Sequence, residues 1–325
     1  MKQVSVGIDI GGTNTVIGIV DADGNVLVRD GLKTPKHGDI KLYINDIKTK
    51  VRKLMVEIGA GFEVLGIGIG APNANYYTGN IEEAVNLSFV GTVPLVALLK
   101  AEFPEMKAIV ITNDANAATL GEMIYGGARG LKNFVMYTIG TGVGSGLVVN
   151  GDLVYGKDGF AGECGHTILI PNGRMCGCGI AGHLEAYCSA SGMKRTAFEL
   201  LAKYNDNNSL LAQKTFSELT SKDICQAALS GDRVAKEVFE LTGEYLGMAI
   251  SSIVHTTSPE AIFLFGGPTE AGDLLIVPTQ RSLDENLIAV LKGTVQIKIS
   301  KLGLGDAAIV GASSLVIKEI EKMQS

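Results

Sequence analysis

Residues 4–30, VSVGIDIGGTNTVIGIVDADGNVLVRD, decide the fold of this chain. VSVGIDI predicts a strand, GGTN a tight turn, TVIGIV a second strand, DADGN a hairpin turn and VLVRD a third strand. The plan returns at 133–156, NFVMYTIGTGVGSGLVVNGDLVYG: strand, glycine turn, strand, a hairpin at Asn150-Gly151, and a further strand. Two such units in one chain predict a structural duplication. Around them, the spacing of apolar residues predicts helices over 39–59, 92–103, 116–125, 191–204, 215–230, 231–257 and 306–323. Strands are expected at 64–72, 108–115, 261–267 and 295–300. The pattern is that of mixed sheets with helices on their faces.

With 325 residues, 46 % of them hydrophobic, the chain can bury a large core and fill two domains. A net charge of −6 and the lack of any basic run give no footprint for nucleic acid. The opening MKQVSVGIDI reads as a strand and not as a signal peptide, and no apolar stretch is long enough to span a membrane. Five cysteines, an odd number, without a secretory signal argue against a disulfide framework and for a reducing cytoplasm. The 42 glycines are clustered, which suggests backbone-lined sites.

Asp9-Ile10-Gly11-Gly12-Thr13-Asn14 follows a strand directly. Glycines there let backbone N–H groups approach an anion, Thr13 and Asn14 add donors, and Asp9 can hold Mg²⁺ through water. A second turn, 139–146 (IGTGVGSG), occupies the equivalent place in the second half, and Phe265-Gly266-Gly267-Pro268 forms a third. Two phosphate turns and one for a nucleoside make an ATP clamp. Gly151–Lys157 imitates the start of a Walker A loop, but Asp158 stands where the Mg²⁺-binding hydroxyl belongs, and Asn150-Gly151 predicts a hairpin. Asn113-Asp114 ends a strand before a helix. A carboxylate there either accepts the proton of an attacking hydroxyl or caps the helix, and the residues alone leave both open.

Residues 161–192, AGECGHTILIPNGRMCGCGIAGHLEAYCSASG, hold His166, Cys176, Cys178 and His183 at spacings of ten, two and five. Thiolate and imidazole in so short a window predict a tetrahedral zinc knuckle. Glu163 and Glu185 bracket it, where a metal knot would fix two carboxylates for a polyhydroxylated substrate.

DIGGTN (9–14), GIGAP (68–72), NDANAA (113–118), IGTGVGSG (139–146), AGECGH (161–166), CGCGIAGHLE (176–185) and the FGG turn (265–267) together resemble the ROK family of sugar kinases and sugar-sensing repressors, over essentially the whole chain. The resemblance implies an α/β fold of the actin-like ATPase (ribonuclease H-like) type, two lobes with duplicated mixed sheets and the active site between them. On that reading residues 1–115 plus 310–325 form the smaller lobe, and 116–309 the larger lobe with the knuckle. It implies Asp114 as the base for a sugar's 6-hydroxyl, and Asn113, Glu163, His166 and Glu185 as sugar contacts. Gly11, Gly12, Thr13, Gly140, Thr141 and Gly142 fall to the phosphates, and Gly266 and Gly267 to the adenosine of ATP.

The implied zinc (Zn²⁺) is structural, with one ring nitrogen of His166 on the metal and the other toward the sugar. The family's usual third cysteine is here His183, giving a Cys₂His₂ site; Cys188 is the alternative ligand, and Cys164 and Cys225 read as buried thiols. The stretch 71–87 resembles glucokinase-like members, which favours glucose and adds Asn73 and Asn86 as sugar contacts. Fructose, mannose, allose, N-acetylmannosamine and N-acetylglucosamine stay open as substrates. A sugar-binding regulator is the alternative class, disfavoured because no DNA-binding segment precedes the first strand. Partners are expected to be the sugar and the nucleotide, with no nucleic acid and no membrane, and the resemblance implies a homo-oligomer, a dimer or tetramer.

Overall fold

The computed structural model of the chain describes residues 1–35, 39–84, 87, 89, 91–303 and 305–324. In chain order the first part comprises β1 (Lys2–Ile10), β2 (Asn14–Asp21), β3 (Val26–Lys33), α1 (Ile40–Ile58), β4 (Phe62–Gly70), β5 (Ile81–Glu82), β6 (Thr92–Val93), α2 (Leu95–Glu102), β7 (Ala108–Thr112) and α3 (Asp114–Ile124). There follow β8 (Phe134–Ile139), β9 (Val143–Val149), β10 (Asp152–Leu153), α4 (Glu185–Cys188), α5 (Ala190–Tyr204), α6 (Ser221–Leu229), α7 (Arg233–Thr257), β11 (Ala261–Phe265), α8 (Asp273–Glu285), β12 (Gln296–Ile299) and α9 (Ala307–Gln324).

The duplication is real at the level of topology. One five-stranded sheet runs β3-β2-β1-β4-β7 and the other β10-β9-β8-β11-β12, so each places its first strand third. In both, the hairpin strands pair antiparallel and the later strands parallel. The chain divides into two units, Met1–Gly130 with Leu153–Ala161 and Lys301–Ser325, and Leu131–Asp152 with Gly162–Ser300. The sequence reading put the break at 115/116. The contacts instead keep α3 in the first unit, because it packs along α9.

In the first unit β1 is buried on both faces although VSVGIDI alternates in hydropathy, because the small Ser5 and Gly7 of the second face are themselves covered. One face packs on α1 and α2, where Tyr43, Ile44, Ile47, Val51 and Leu54 form the buried stripe of α1. The other face of the sheet lies under α9 so closely that a Cβ on Gly7 of β1 would stand 2.0 Å from the Ile309 carbonyl oxygen, and one on Gly68 of β4 1.8 Å from that of Ala312. Several of the clustered glycines therefore serve helix-on-sheet packing and not a ligand. The second unit has its own core, built from β8, β11 and α4–α8.

Two predicted helices are shorter than their periodicity. The 92–103 segment begins as a strand, β6, which pairs with β5, and the helix starts only after Pro94. The 215–230 segment becomes helical at Ser221, because the Thr220 hydroxyl accepts from the Asp223 N–H while the Asp223 carboxylate accepts from the Thr220 N–H. Among the described residues no helix is long and apolar enough to cross a membrane.

Candidate active site

In the first unit β1, β4 and β7 run parallel, and their register sets Asp9 beside Gly70 and Gly70 beside Thr112. The carboxyl ends of parallel strands are where α/β sheets bind ligands. Gly70 keeps the middle of that row empty: a Cβ there would meet the Ala117 Cβ at 3.3 Å, the Asp114 Cα at 3.7 Å and an Asp9 carboxylate oxygen at 4.0 Å. Asp9 and Asp114 thus face one small space. Burial first, and the Asp114 charge second, push the Asp9 carboxyl up to about 6.

Asn113 and Asp114, which the sequence left as base or cap, divide the two tasks. The Asn113 side chain is the cap of α3, its oxygen accepting from the Asn116 N–H at 2.7 Å. Asp114 is the first helical residue, and its carboxylate accepts from the adjacent Ala115 N–H at 2.9 Å. Desolvation by the protein packed around it raises its pKa, opposed by the Ala115 and Asp114 N–H groups, while the residue as a whole stays exposed. A raised carboxylate with solvent access suits a general base.

The first glycine turn is tied at its ends and open at its tip. Gly11 N–H donates to the Asn14 carbonyl at 3.0 Å, and Lys33 Nζ donates to the Asn14 side chain at 2.7 Å. Gly12 and Thr13 are exposed.

The second turn, in the second unit, closes with Gly140 N–H donating to the Gly142 carbonyl at 2.9 Å, and leaves Gly140 and Thr141 exposed. Glu185, at the start of α4, reaches it: its Oε2 accepts from the Val143 N–H at 3.0 Å, and a Cβ on Gly142 would stand 2.4 Å from that oxygen. The third turn lies alongside. Gly266 holds φ +116°, and a Cβ there would meet the Ile139 carbonyl oxygen at 2.1 Å, so glycine is required for β11 to end against the second turn. Gly267 faces open space.

His166, Cys176, Cys178 and His183 converge, with ligand atoms all within 4.8 Å of one another. The two Nδ1 atoms are 3.3 Å apart, Cys178 Sγ is 3.2 Å from His183 Nδ1, and Cys176 Sγ is 4.0 Å from His166 Nδ1. Zinc bond lengths predict tetrahedral edges of about 3.3 Å between nitrogens and about 3.6 Å between nitrogen and sulfur. The four donors fit that ion in number, chemistry and spacing. Backbone bonds from Cys176 N–H to the Ile180 carbonyl (3.0 Å) and from Gly182 N–H to the Arg174 carbonyl (2.8 Å) fold the knuckle. Cys188 is elsewhere, fully buried with its thiol donating to the Thr242 carbonyl at 3.6 Å. Cys164 and Cys225 are buried, as expected of plain thiols.

With both histidines presenting Nδ1, His166 Nε2 is left over and lies 4.0 Å from a Glu163 oxygen. Cys176 Sγ lies 3.2 Å from Glu185 Oε1, a contact in which the thiol donates when no metal is bound, so Glu185 sits between the knuckle and the second turn. Asn73 holds φ 52° and donates to the Glu83 carbonyl at 3.2 Å. Asn86 lies outside the described residues. The Walker-like segment is a hairpin, Asn150 at φ 55° and Gly151 at φ 86° joining β9 to β10. Sequence reasoning missed the role of Gly70, although GIGAP was recognised as a motif.

The model of the ROK family matches residues 5–319. The chain is 33 % identical over 322 residues to a glucokinase of Halalkalibacterium halodurans, covering 98 % of this chain and 96 % of that protein. It is 31 % identical over 320 residues to a glucokinase of Thermotoga maritima, with 98 % and 99 % covered. Among solved structures, a ROK family glucokinase from Streptomyces griseus in complex with glucose and AMPPNP superposes with a TM-score of 0.81 at 29 % identity, covering 97 % of this chain and 99 % of that one. With the duplicated sheets of the actin-like ATPase fold and a family match over nearly its whole length, this chain belongs to the ROK family.

Proposed function

We propose that the chain is an ATP-dependent hexose kinase that phosphorylates the 6-hydroxyl of glucose, with Asp114 as general base. The observation that carries this reading is Asp114 itself: a carboxylate with a raised pKa, freed from capping by Asn113, beside Asp9 at the carboxyl ends of three parallel strands. Full-length similarity to glucokinases supports the substrate.

Each unit contributes its own parts. In the first, Asp114 accepts the hydroxyl proton, Asn113 and Asn73 orient the sugar, and Asn86 is retained as a contact on resemblance alone. Gly11, Gly12, Thr13 and Asn14 offer donors to phosphate oxygens, and Asp9 would hold Mg²⁺ through water. In the second, Gly140, Thr141 and Gly142 face phosphate, Gly266 and Gly267 the adenosine, and Glu163, His166 and Glu185 the sugar hydroxyls. Mg²⁺, when bound, neutralises charge on the transferring phosphoryl group. Zn²⁺ on His166, Cys176, Cys178 and His183 would be structural, fixing the His166 tautomer so that Nε2 presents one defined face. A reducing cytoplasm suits the free thiols, and a dimer or tetramer is part of the reading, checked by light scattering.

The test is coupled ADP release with Mg-ATP against a panel of hexoses, wild type and Asp114→Asn together. Loss of a positioned base lowers kcat by roughly 10²–10⁴. Near-wild-type turnover in the variant overturns the assignment of the base, and a better sugar than glucose overturns the substrate.

A further inference from the structure

Tyr43, Thr15 and Thr34 belong to none of the sequence motifs, yet their hydroxyls form a buried chain that ends on the first glycine turn. They are 2 %, 0 % and 3 % exposed. The Thr34 hydroxyl donates to the Gly11 carbonyl at 2.7 Å. Thr34 and Thr15 hydroxyls are 2.9 Å apart, and Thr15 is hydrogen-bonded to the Tyr43 hydroxyl. The Thr34 N–H also donates to the Thr13 carbonyl, at 3.1 Å.

The direction of every proton follows. A hydroxyl has one hydrogen to give. Thr34 gives its own to Gly11, so it must accept from Thr15. Thr15 has then spent its hydrogen and must accept from Tyr43. The chain runs Tyr43 to Thr15 to Thr34 to the Gly11 carbonyl. In a trans peptide the carbonyl of one residue and the N–H of the next point opposite ways. Drawing the Gly11 carbonyl inward therefore turns the Gly12 N–H outward, where Gly12 is exposed. Without that pull the peptide is free to rotate, and glycine on both sides makes rotation easy.

We propose that Thr34, Thr15 and Tyr43 are positioning residues that set nucleotide affinity by holding the Gly12 N–H toward the phosphates. The proposal rests on the kinase reading for the identity of the anion. It goes beyond that reading in placing control of the turn on α1 and on the end of β3.

The test uses Thr34→Val, which keeps the shape and removes the donor, with Thr34→Ser as the rescue that restores it. AMPPNP affinity is measured by titration calorimetry, which needs no turnover, and KM and kcat by ADP release. The expected result for Thr34→Val is a loss of AMPPNP affinity and a rise in KM for ATP of about three- to ten-fold, the scale of one hydrogen bond, with the KM for glucose unmoved and Thr34→Ser close to wild type. Tyr43→Phe should show the smallest effect, because the bond to Gly11 survives. Thr34→Ala removes the same donor without adding a branched methyl and serves if Thr34→Val does not fold; Thr15→Val, like Tyr43→Phe, leaves the bond to Gly11 and should act weakly. Wild-type AMPPNP affinity in Thr34→Val, or in Thr34→Ala where Thr34→Val does not fold, overturns the proposal, as does a loss that Thr34→Ser does not restore. Absence of sugar-dependent ADP release from wild type overturns the kinase reading alone.

Discussion

Replacing Asp9 by asparagine should make the protein more stable, and by an amount that depends on pH. The carboxylate accepts no hydrogen bond among the described residues, so an isosteric amide loses none. What it removes is the cost of holding a charge where burial and the Asp114 charge disfavour it. A carboxyl moved from 3.8 to about 6 costs the ionised folded state about 3 kcal/mol, at about 1.4 kcal/mol per tenfold in proton affinity. Because the folded pKa is the higher one, the folded state holds more protons than the unfolded state between those values. Stability from this group is therefore present in acid and lost as the pH rises through the window 3.8 to 6. Asp9→Asn has no such loss. Denaturant melts of both proteins, without nucleotide and in the presence of a chelator, should show a gap that opens across that window and stays flat above it. At pH 8 the variant should be the more stable by about 3 kcal/mol. The same variant should lose Mg-ATP-dependent turnover, which would show that the site retains an unfavourable charge for function. A variant equal to or weaker than wild type at pH 8, or a gap independent of pH, refutes the reasoning.

Two further outcomes follow from distances. Gly142→Ala puts a Cβ 2.4 Å from Glu185 Oε2 and must displace that carboxylate from the Val143 N–H; losing a bond to a charged group should raise the KM for glucose about ten-fold or more, and an unchanged KM would remove Glu185 from the sugar site. Elemental analysis should find one zinc per chain in wild type and in Cys188→Ala, and little in His183→Ala or Cys178→Ala, since only the latter two lie in the cluster. Zinc lost from Cys188→Ala would reverse that assignment.

The elements that the sequence predicted well are those whose pattern is local. The hairpin at 21–25 and the one at Asn150-Gly151 are set by turn chemistry, and α1 by its own apolar stripe. The knuckle was legible for the same reason: four ligands within eighteen residues need only short backbone closures to meet. What could not be read depends on partners far along the chain. Gly68 falls in a strand that the sequence predicts, but why it is glycine appears only when α9, more than two hundred residues later, lays the Ala312 carbonyl on it. Gly70 acquires its role only from the pairing of β4 with β1 and β7. Thr34 matters through a carbonyl twenty-three residues away.

Asn113 and Asp114 show why a choice that looked even in the sequence is not one in the structure. Both residue types cap helices, and both sit where α3 begins. Only one oxygen can occupy the cap, and Asn113 takes it from the N-cap position, with extended backbone at φ −67° and ψ 160°. Asp114 is left in the first turn, where the N-terminal dipole stabilises a negative charge while the surrounding protein opposes it. The two influences hold the carboxylate ionisable yet more basic than an ordinary aspartate. They also make the decisive variant clean. Asp114→Asn leaves the Asn113 cap and the Asn116 N–H bond in place, so α3 keeps its start. A collapse of turnover in that variant therefore cannot be charged to a frayed helix, and must come from the missing carboxylate.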